Sequence, residues 1–400
     1  MYSVYQHWDP LKVCAVGRSY PPEFYSFIDN SKVRNIMERI AIETEEDYQS
    51  LITILKQFNV EVVRTTVAED AGFYFDTSKK QYQAPIVMCP RDVAIMVGET
   101  FYIANHINEG FTTCWNNIRG NDWPITPPDN INDLPTWIKD ELHNVHNVHK
   151  IDLEKRRYNS YTDILKMIKT AGNEIIYNFS GIANKGVYAF NSASISRIGK
   201  DLYHGTTENT PADYSLENLK NDQKILDAEF PDYRNHIIET WGHTDGCFCP
   251  VVPGLILTIK DIQDYNKTFP GWEVIELPEQ SWFDPKVSQF LQLKEKNKGK
   301  WWVPGEEFND EFIDFVEGWI NHWVGYVEET VFDVNILVID EHNVICNNEN
   351  DKVFEAFKRY GITPHVCNFR HRYFWDGGIH CITQDLNREG KLQDYFPNRI

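Results

Sequence analysis

What most constrains this 400-residue chain is an order of elements that recurs although the residues do not. Apolar runs at 174–177, 186–190 and 200–203 read as strands, the stretch 215–228 as a helix, and 236–239 as a further strand. A strand at 254–259, a helix at 261–269 and a strand at 272–275 follow, then strands at 334–339 and 344–346, a helix at 351–360 and a strand at 363–367. Near the start, 12–17 is a short buried strand and 60–63 another. Between them Ile36, Ile40, Tyr48, Leu51, Ile52 and Leu55 recur at helical spacing. Residues 93–97 and 101–104 read as a hairpin turning at Gly98-Glu99. Strand, strand, helix, strand, repeated without sequence identity, favours an α/β fold of small modules over one doubly wound sheet. No Gly-x-Gly-x-x-Gly or phosphate-loop pattern follows any strand, so no nucleotide cofactor is expected, and no other cofactor is indicated.

Length alone would suit two or three domains, but the recurring module favours one catalytic domain over 1–400, with an aromatic insertion at about 278–325. That insertion holds Trp282, Trp301, Trp302, Trp319 and Trp323, and suits a substrate wall or lid as well as an interface or satellite core. The net charge of −20, from 39 basic and 59 acidic residues, disfavours nucleic acid and suits cationic small molecules as well as plain solubility. The longest apolar run, 251–259, is broken by Pro253 and Gly254 and is too short to span a membrane. Eight cysteines without a secretory signal read as reduced thiols, and the expectation is a soluble cytoplasmic protein.

Chemistry concentrates near the C-terminus, in Trp375-Asp376-Gly377-Gly378-Ile379-His380-Cys381. The glycines allow a tight turn and close approach to a ligand, and Cys381-Ile382-Thr383 reads as the start of a strand. A cysteine so presented suits a nucleophile, and equally a buried structural thiol, until a base is found. His243, in Trp241-Gly242-His243-Thr244-Asp245-Gly246-Cys247, is the better base. If extended there, Asp245 projects on the same side as His243 and could orient it or hold a substrate cation. His380 would point to the opposite face of a strand and is the poorer choice. Cys247 and Cys249 read as packing. Asp92, in Met88-Cys89-Pro90-Arg91-Asp92 at the mouth of a buried strand, is placed to hold a cation or simply to cap a surface turn. His143, His146 and His149 are three apart, but no further ligands complete a metal set, and a polar helix face is the expected reading.

These residues carry a resemblance to the arginine:glycine amidinotransferase family of the pentein superfamily, the guanidine-modifying enzymes. It runs through Gln6-His7-Trp8-Asp9-Pro10-Leu11 to Gly17, then Pro90-Arg91-Asp92 and Val97-Gly98. It continues with His243-Thr244-Asp245, Gly254 and its strand, and Asn335-Ile336-Leu337, and closes with Gly377-Gly378-Ile379-His380-Cys381 and Leu392-Gln393. The resemblance implies a five-bladed α/β propeller of ββαβ modules with pseudo-fivefold symmetry, and a possible homodimer. It implies ping-pong chemistry between a guanidino donor and an amine acceptor. Cys381 attacks the guanidinium carbon, and His243 protonates the departing amine and then deprotonates the incoming one. Asp92 and Gly378 belong to the donor pocket, with Asp245 orienting His243 or holding an amine.

The sequence departs from the family where substrate is chosen. The run Arg197-Ile198-Gly199-Lys200-Asp201 is preceded by Phe190-Asn191-Ser192-Ala193-Ser194, so the family's catalytic aspartate position holds Asn191. An amide still accepts from a guanidinium, at about 1 kcal/mol against roughly 1.5–3 for a charge-assisted bond. Paired serines of the family align with Glu328-Glu329, and no arginine follows the 254–259 strand to hold a carboxylate. These changes point to an acceptor other than glycine. Two alternatives stay open: a guanidine hydrolase of the same superfamily, and a weakened binder of cationic metabolites.

Overall fold

In a computed structural model the described residues are 1–67, 74–76, 81–83, 88–103, 159–177, 192–206, 216–240, 243–259, 264–277, 303, 305–306, 309–315, 333–375 and 377–399. The first strands are β1 (Leu11–Val16) and β2 (Glu61–Arg64), followed by a small hairpin of β3 (Tyr74–Asp76) and β4 (Gln81–Gln83). Three strands then form each successive sheet: β5 (Ala94–Val97), β6 (Thr100–Ile103) and β7 (Glu174–Tyr177); β8 (Ile195–Ile198), β9 (Asp201–Thr206) and β10 (Arg234–Glu239); β11 (Phe248–Val252), β12 (Leu255–Thr258) and β13 (Glu273–Glu276); β14 (Leu337–Asp340), β15 (Asn343–Cys346) and β16 (Thr363–Val366). The fifth sheet joins the chain's ends: β17 (Thr383–Arg388) pairs with β1, and β1 with β2.

One rule builds all five. The first two strands of each sheet run antiparallel and the third joins the second in parallel. An antiparallel step needs only a tight turn, whereas a parallel step needs a crossover. Three of the tight turns pass through a glycine with positive φ, Gly98 at 55°, Gly199 at 60° and Gly254 at 95°, a conformation that favours glycine. The crossovers contain the helices Ser31–Gln57, Thr162–Thr170, Leu216–Glu229, Tyr265–Thr268 and Asp351–Tyr360. The first of these buries Val33, Ile36, Met37, Ile40 and Ala41 on one face, with the Asn30 side chain accepting from the backbone at its start. This is the ββαβ propeller architecture that the family resemblance implies.

Details differ from the sequence reading. The strands β8 and β11 were not foreseen, the helix expected over 261–269 is described only as Tyr265–Thr268, and the strand expected at 186–190 lies outside the described residues. Cys381 is not in a strand: β17 begins at Thr383, and Cys381 sits in the turn before it. No helix among the described residues is long and apolar enough to cross a membrane.

A tight turn precedes the first strand of every three-stranded sheet. These are the one-turn helices Pro90–Val93, Ser192–Ser194 and Thr244–Cys247, and the turns at 333–336 and 377–382. The repeated module therefore sets five short turns at equivalent places, and the chemistry-bearing residues stand on them.

Candidate active site

The five turns are joined to one another by hydrogen bonds in a closed ring. The Ser192 hydroxyl donates to the Asp92 carbonyl at 2.5 Å, and the Thr244 hydroxyl to the Ala193 carbonyl at 3.0 Å. Asn335 Nδ2 reaches the Asp245 carbonyl at 3.3 Å, and His380 N–H donates to Asn335 Oδ1 at 2.9 Å. Arg91 Nε closes the circuit on the His380 carbonyl at 2.8 Å. Each bond satisfies a polar group that close packing would otherwise leave unpaired, so the ring costs little and holds the turns in fixed mutual positions.

Below the ring lies Asp385 of β17, completely buried. It accepts from Arg197 Nη2 at 2.7 and 2.9 Å, from Arg388 Nε at 2.7 Å, and from Arg91 Nη2 at 3.3 Å. Burial alone would raise its pKa, but the Arg197, Arg388 and Arg91 guanidinium groups hold it well below the usual carboxylate range. Arg91 thus ties this buried charge cluster to the ring.

Within the ring Cys381 is buried. Its Sγ lies 3.0 Å from Asn335 Nδ2 and 3.6 Å from Asp245 Oδ2. Asp245 Oδ2 also pairs with His380 Nδ1 at 2.7 Å. Burial, then the Arg91 charge, lower the His380 pKa to about 4 against the pull of Asp245. The imidazole is therefore neutral near pH 7, with Nδ1–H donating to the carboxylate. Burial pushes the Asp245 carboxyl upward, but the His380 hydrogen bond and nearby positive charge leave it below its ordinary value. Asp245 Oδ1 is buried without a hydrogen-bond partner among the described residues. A buried carboxylate oxygen left open is costly unless a donor or cation arrives.

His243 stands at the edge of this cluster in extended conformation, at φ −61° and ψ 139°, immediately before the turn Thr244–Cys247. Its Nδ1 is 3.9 Å from Asp92 Oδ1, and the two side chains are 27% and 17% exposed. Of the two roles open to Asp245, orienting His243 or holding a cation, the first is not favoured by this geometry, since its Oδ2 is taken by His380. The segment 244–247 winds into a helical turn instead of extending, so the two-residue alternation of a strand fails and Asp245 faces His380. His380, set aside as pointing away, is brought inward because it too lies in a turn.

The glycines at 377 and 378 also act differently from expectation, since neither is among the residues with positive φ. A side chain at Gly377 would bring its Cβ within 3.1 Å of Cys89 Sγ, so close packing is the constraint there. The Gly378 carbonyl accepts from Ile382 N–H at 3.1 Å, closing the turn that carries Cys381. Cys247 and Cys249 are buried free thiols, and burial pushes Cys249 up to about 12. No group of metal-ligating side chains occurs among the described residues. Asn191, Glu328, Glu329, the three histidines at 143–149 and most of the 278–325 insertion lie outside them.

Sequence reasoning missed three contributors: Asn335, His380 as partner of Asp245, and Arg91. Asn335 had a faint signal, a lone amide side chain immediately before an apolar strand. Arg91 had only its place in the Pro90-Arg91-Asp92 stretch of the resemblance, which gave it no role.

No protein-family model matches the chain. Among curated relatives, the L-arginine:L-lysine amidinotransferase of Pseudomonas savastanoi pv. phaseolicola is 27% identical over 211 residues. That match covers 52% of this chain, which spans only 46% of the length of that relative. The mitochondrial glycine amidinotransferase of Xenopus tropicalis is 22% identical over 431 residues, 98% of this chain and 84% of the other. Among solved structures, SxtG, an amidinotransferase from Microseira wollei, superposes with a TM-score of 0.60 at 19% identity, covering 99% of both chains. The inosamine-phosphate amidinotransferase StrB1 of Streptomyces griseus gives 0.58 at 16% identity, again over 99% of each.

Proposed function

We propose that this chain belongs with the pentein amidinotransferases and moves an amidino group from a guanidino donor to an amine acceptor through a covalent intermediate on Cys381. The observation that carries the reading is the placing of Cys381 Sγ, 3.6 Å from a buried carboxylate, Asp245, whose second oxygen has no partner among the described residues. A planar cation lying on that oxygen is brought against the sulfur.

The donor's guanidinium is held by Asp245 and Asp92, which offset its charge and fix its plane. The Cys381 thiolate attacks the central carbon and forms a C–S bond. His243 delivers a proton to the departing nitrogen as its C–N bond breaks, leaving an amidino-cysteine and a free amine. The acceptor amine then enters, His243 takes its proton, the new C–N bond forms and the thiolate leaves. Histidine suits both proton transfers near neutral pH. The exposure of His243 and Asp92 at the cluster's edge favours exchange of one amine for another there. Asn191 is assigned to the donor and Glu328-Glu329 to the acceptor side, where carboxylates favour an amine or cationic head group over the carboxylate of glycine. A cytoplasmic setting keeps the thiol reduced.

Intact-mass measurement after incubation with arginine and a panel of guanidines tests the reading, with Cys381→Ala as control. A cysteine-dependent gain of one amidino group, discharged by an amine, is expected. No gain with any donor, or a ureido product released without an amine, overturns amidino transfer.

A further inference from the structure

Resting on that reading, we infer that Asn335 is a catalytic residue of this site, its side-chain amide donating a hydrogen bond to the Cys381 sulfur and holding it as the anion. The direction of the amide follows from its neighbours. Asn335 Oδ1 faces two backbone donors, His380 N–H at 2.9 Å and Cys381 N–H at 3.3 Å. Only an oxygen satisfies both, so the nitrogen faces Sγ, at 3.0 Å. Asn347 fixes the arrangement from behind: its Nδ2 donates to the Asn335 carbonyl at 2.7 Å, and its Oδ1 accepts from Ile379 N–H at 3.1 Å. Asn335 is fully buried, so water does not substitute for the bond.

An N–H aimed at sulfur stabilises the thiolate and does nothing comparable for the thiol. Asp245 Oδ2, at 3.6 Å, acts in the opposite sense, since a carboxylate opposes a second negative charge. The free enzyme therefore sits in balance between a donor and an anion. A guanidinium bound to Asp245 neutralises the opposing charge and leaves the Asn335 donation in command. Thiolate formation becomes coupled to the arrival of a cation, so the unloaded enzyme presents a less reactive sulfur.

The test is the pH dependence of Cys381 alkylation by iodoacetamide, which needs no guanidine, with Cys381→Ala giving the background from other cysteines. Asn335→Asp keeps an oxygen for the two backbone donors and replaces the N–H with a second acceptor. Asn335→Ser is too short to reach the sulfur. In Asn335→Ser the alkylation midpoint is expected to rise by about one to two pH units, the worth of a charge-assisted hydrogen bond, and in Asn335→Asp by at least as much, since the new carboxylate also opposes the thiolate. In the wild type, guanidinium salts are expected to lower the midpoint, and in the variants to lower it less. An asparagine that only shaped the turn would leave the midpoint of the neutral variant Asn335→Ser in place. An unmoved midpoint in whichever variant folds overturns the inference. A moved midpoint without an amidino adduct from any donor would retain Asn335 and remove the transferase reading.

Discussion

Two buried aspartates lie close to this ring of turns, and the protein answers them differently. Asp385 meets three guanidinium groups, from Arg91, Arg197 and Arg388, each within 3.3 Å. Asp245 meets one neutral histidine and one thiol, and keeps an oxygen without a partner among the described residues. The first carboxylate is overcompensated and closed, which suits a fixed charge that ties three arginine-bearing segments together. The second is undercompensated and open on one side, which suits a group awaiting a cation. Burial alone does not separate the two roles; the count of positive partners does.

If that distinction is right, Asp385→Asn gives the largest effect. It leaves three buried guanidinium groups without their shared anion, and urea unfolding should show a loss of about 3–5 kcal/mol, enough to deplete the folded enzyme. A stable variant would mean that the cluster is not what holds the turns. Asp245→Asn is expected to do the reverse, leaving the unfolding midpoint nearly in place while turnover falls about 10²–10³-fold. Comparable losses of stability in the two variants would erase the contrast.

The five-module order was legible because short apolar runs and helical spacing mark each strand and helix locally. The strands at 195–198 and 248–252 were not, since Arg197 lies inside one and Pro250 inside the other, against local strand preference. Cys381, His243, Asp245 and Asp92 could be picked out as reactive types near glycines or strand mouths. Their pairing could not. Arg91 meets His380 across 289 residues and His380 meets Asp245 across 135, and such contacts come from the closure of the propeller. The local error, reading 243–245 and 381–383 as extended, reversed which histidine Asp245 would meet.

Acid should separate buried histidines from buried aspartates. His204, hydrogen-bonded to Asn235 at 3.0 Å, and His380 are both held at about 4, chiefly by burial, and His7 is lowered well below its ordinary value for the same reason. Between pH 6.5 and 4 the unfolded chain binds protons at these sites that the folded chain refuses. Stability is thus full above pH 6.5 and falls on acidification through that window. Asp385, held well below the ordinary carboxylate range, gives up its contribution only below that range. Urea unfolding at pH 7 and 5 should show His204→Gln losing about 2 kcal/mol less than the wild type on acidification. An equal loss would assign the acid limb to other groups.

The smallest expected change concerns Asp92, the half-open member of the series, 17% exposed and 3.9 Å from His243. Water reaches part of this side chain, although Asp92 Oδ1 is itself buried, so its interaction with a guanidinium is screened more than that of Asp245. Asp92→Asn keeps the shape and one acceptor oxygen, and removes only the charge-assisted share of the bond. The donor KM should rise about fivefold to tenfold, with kcat reduced less. The alkylation midpoint of Cys381 without guanidine should move less than in Asn335→Ser, because Asn335 donates directly to the sulfur and the charge of a part-exposed carboxylate is screened. A fall in kcat as deep as that of Asp245→Asn would put Asp92 with the groups that act in the transition state, and exposure would then be a poor guide to role in this site.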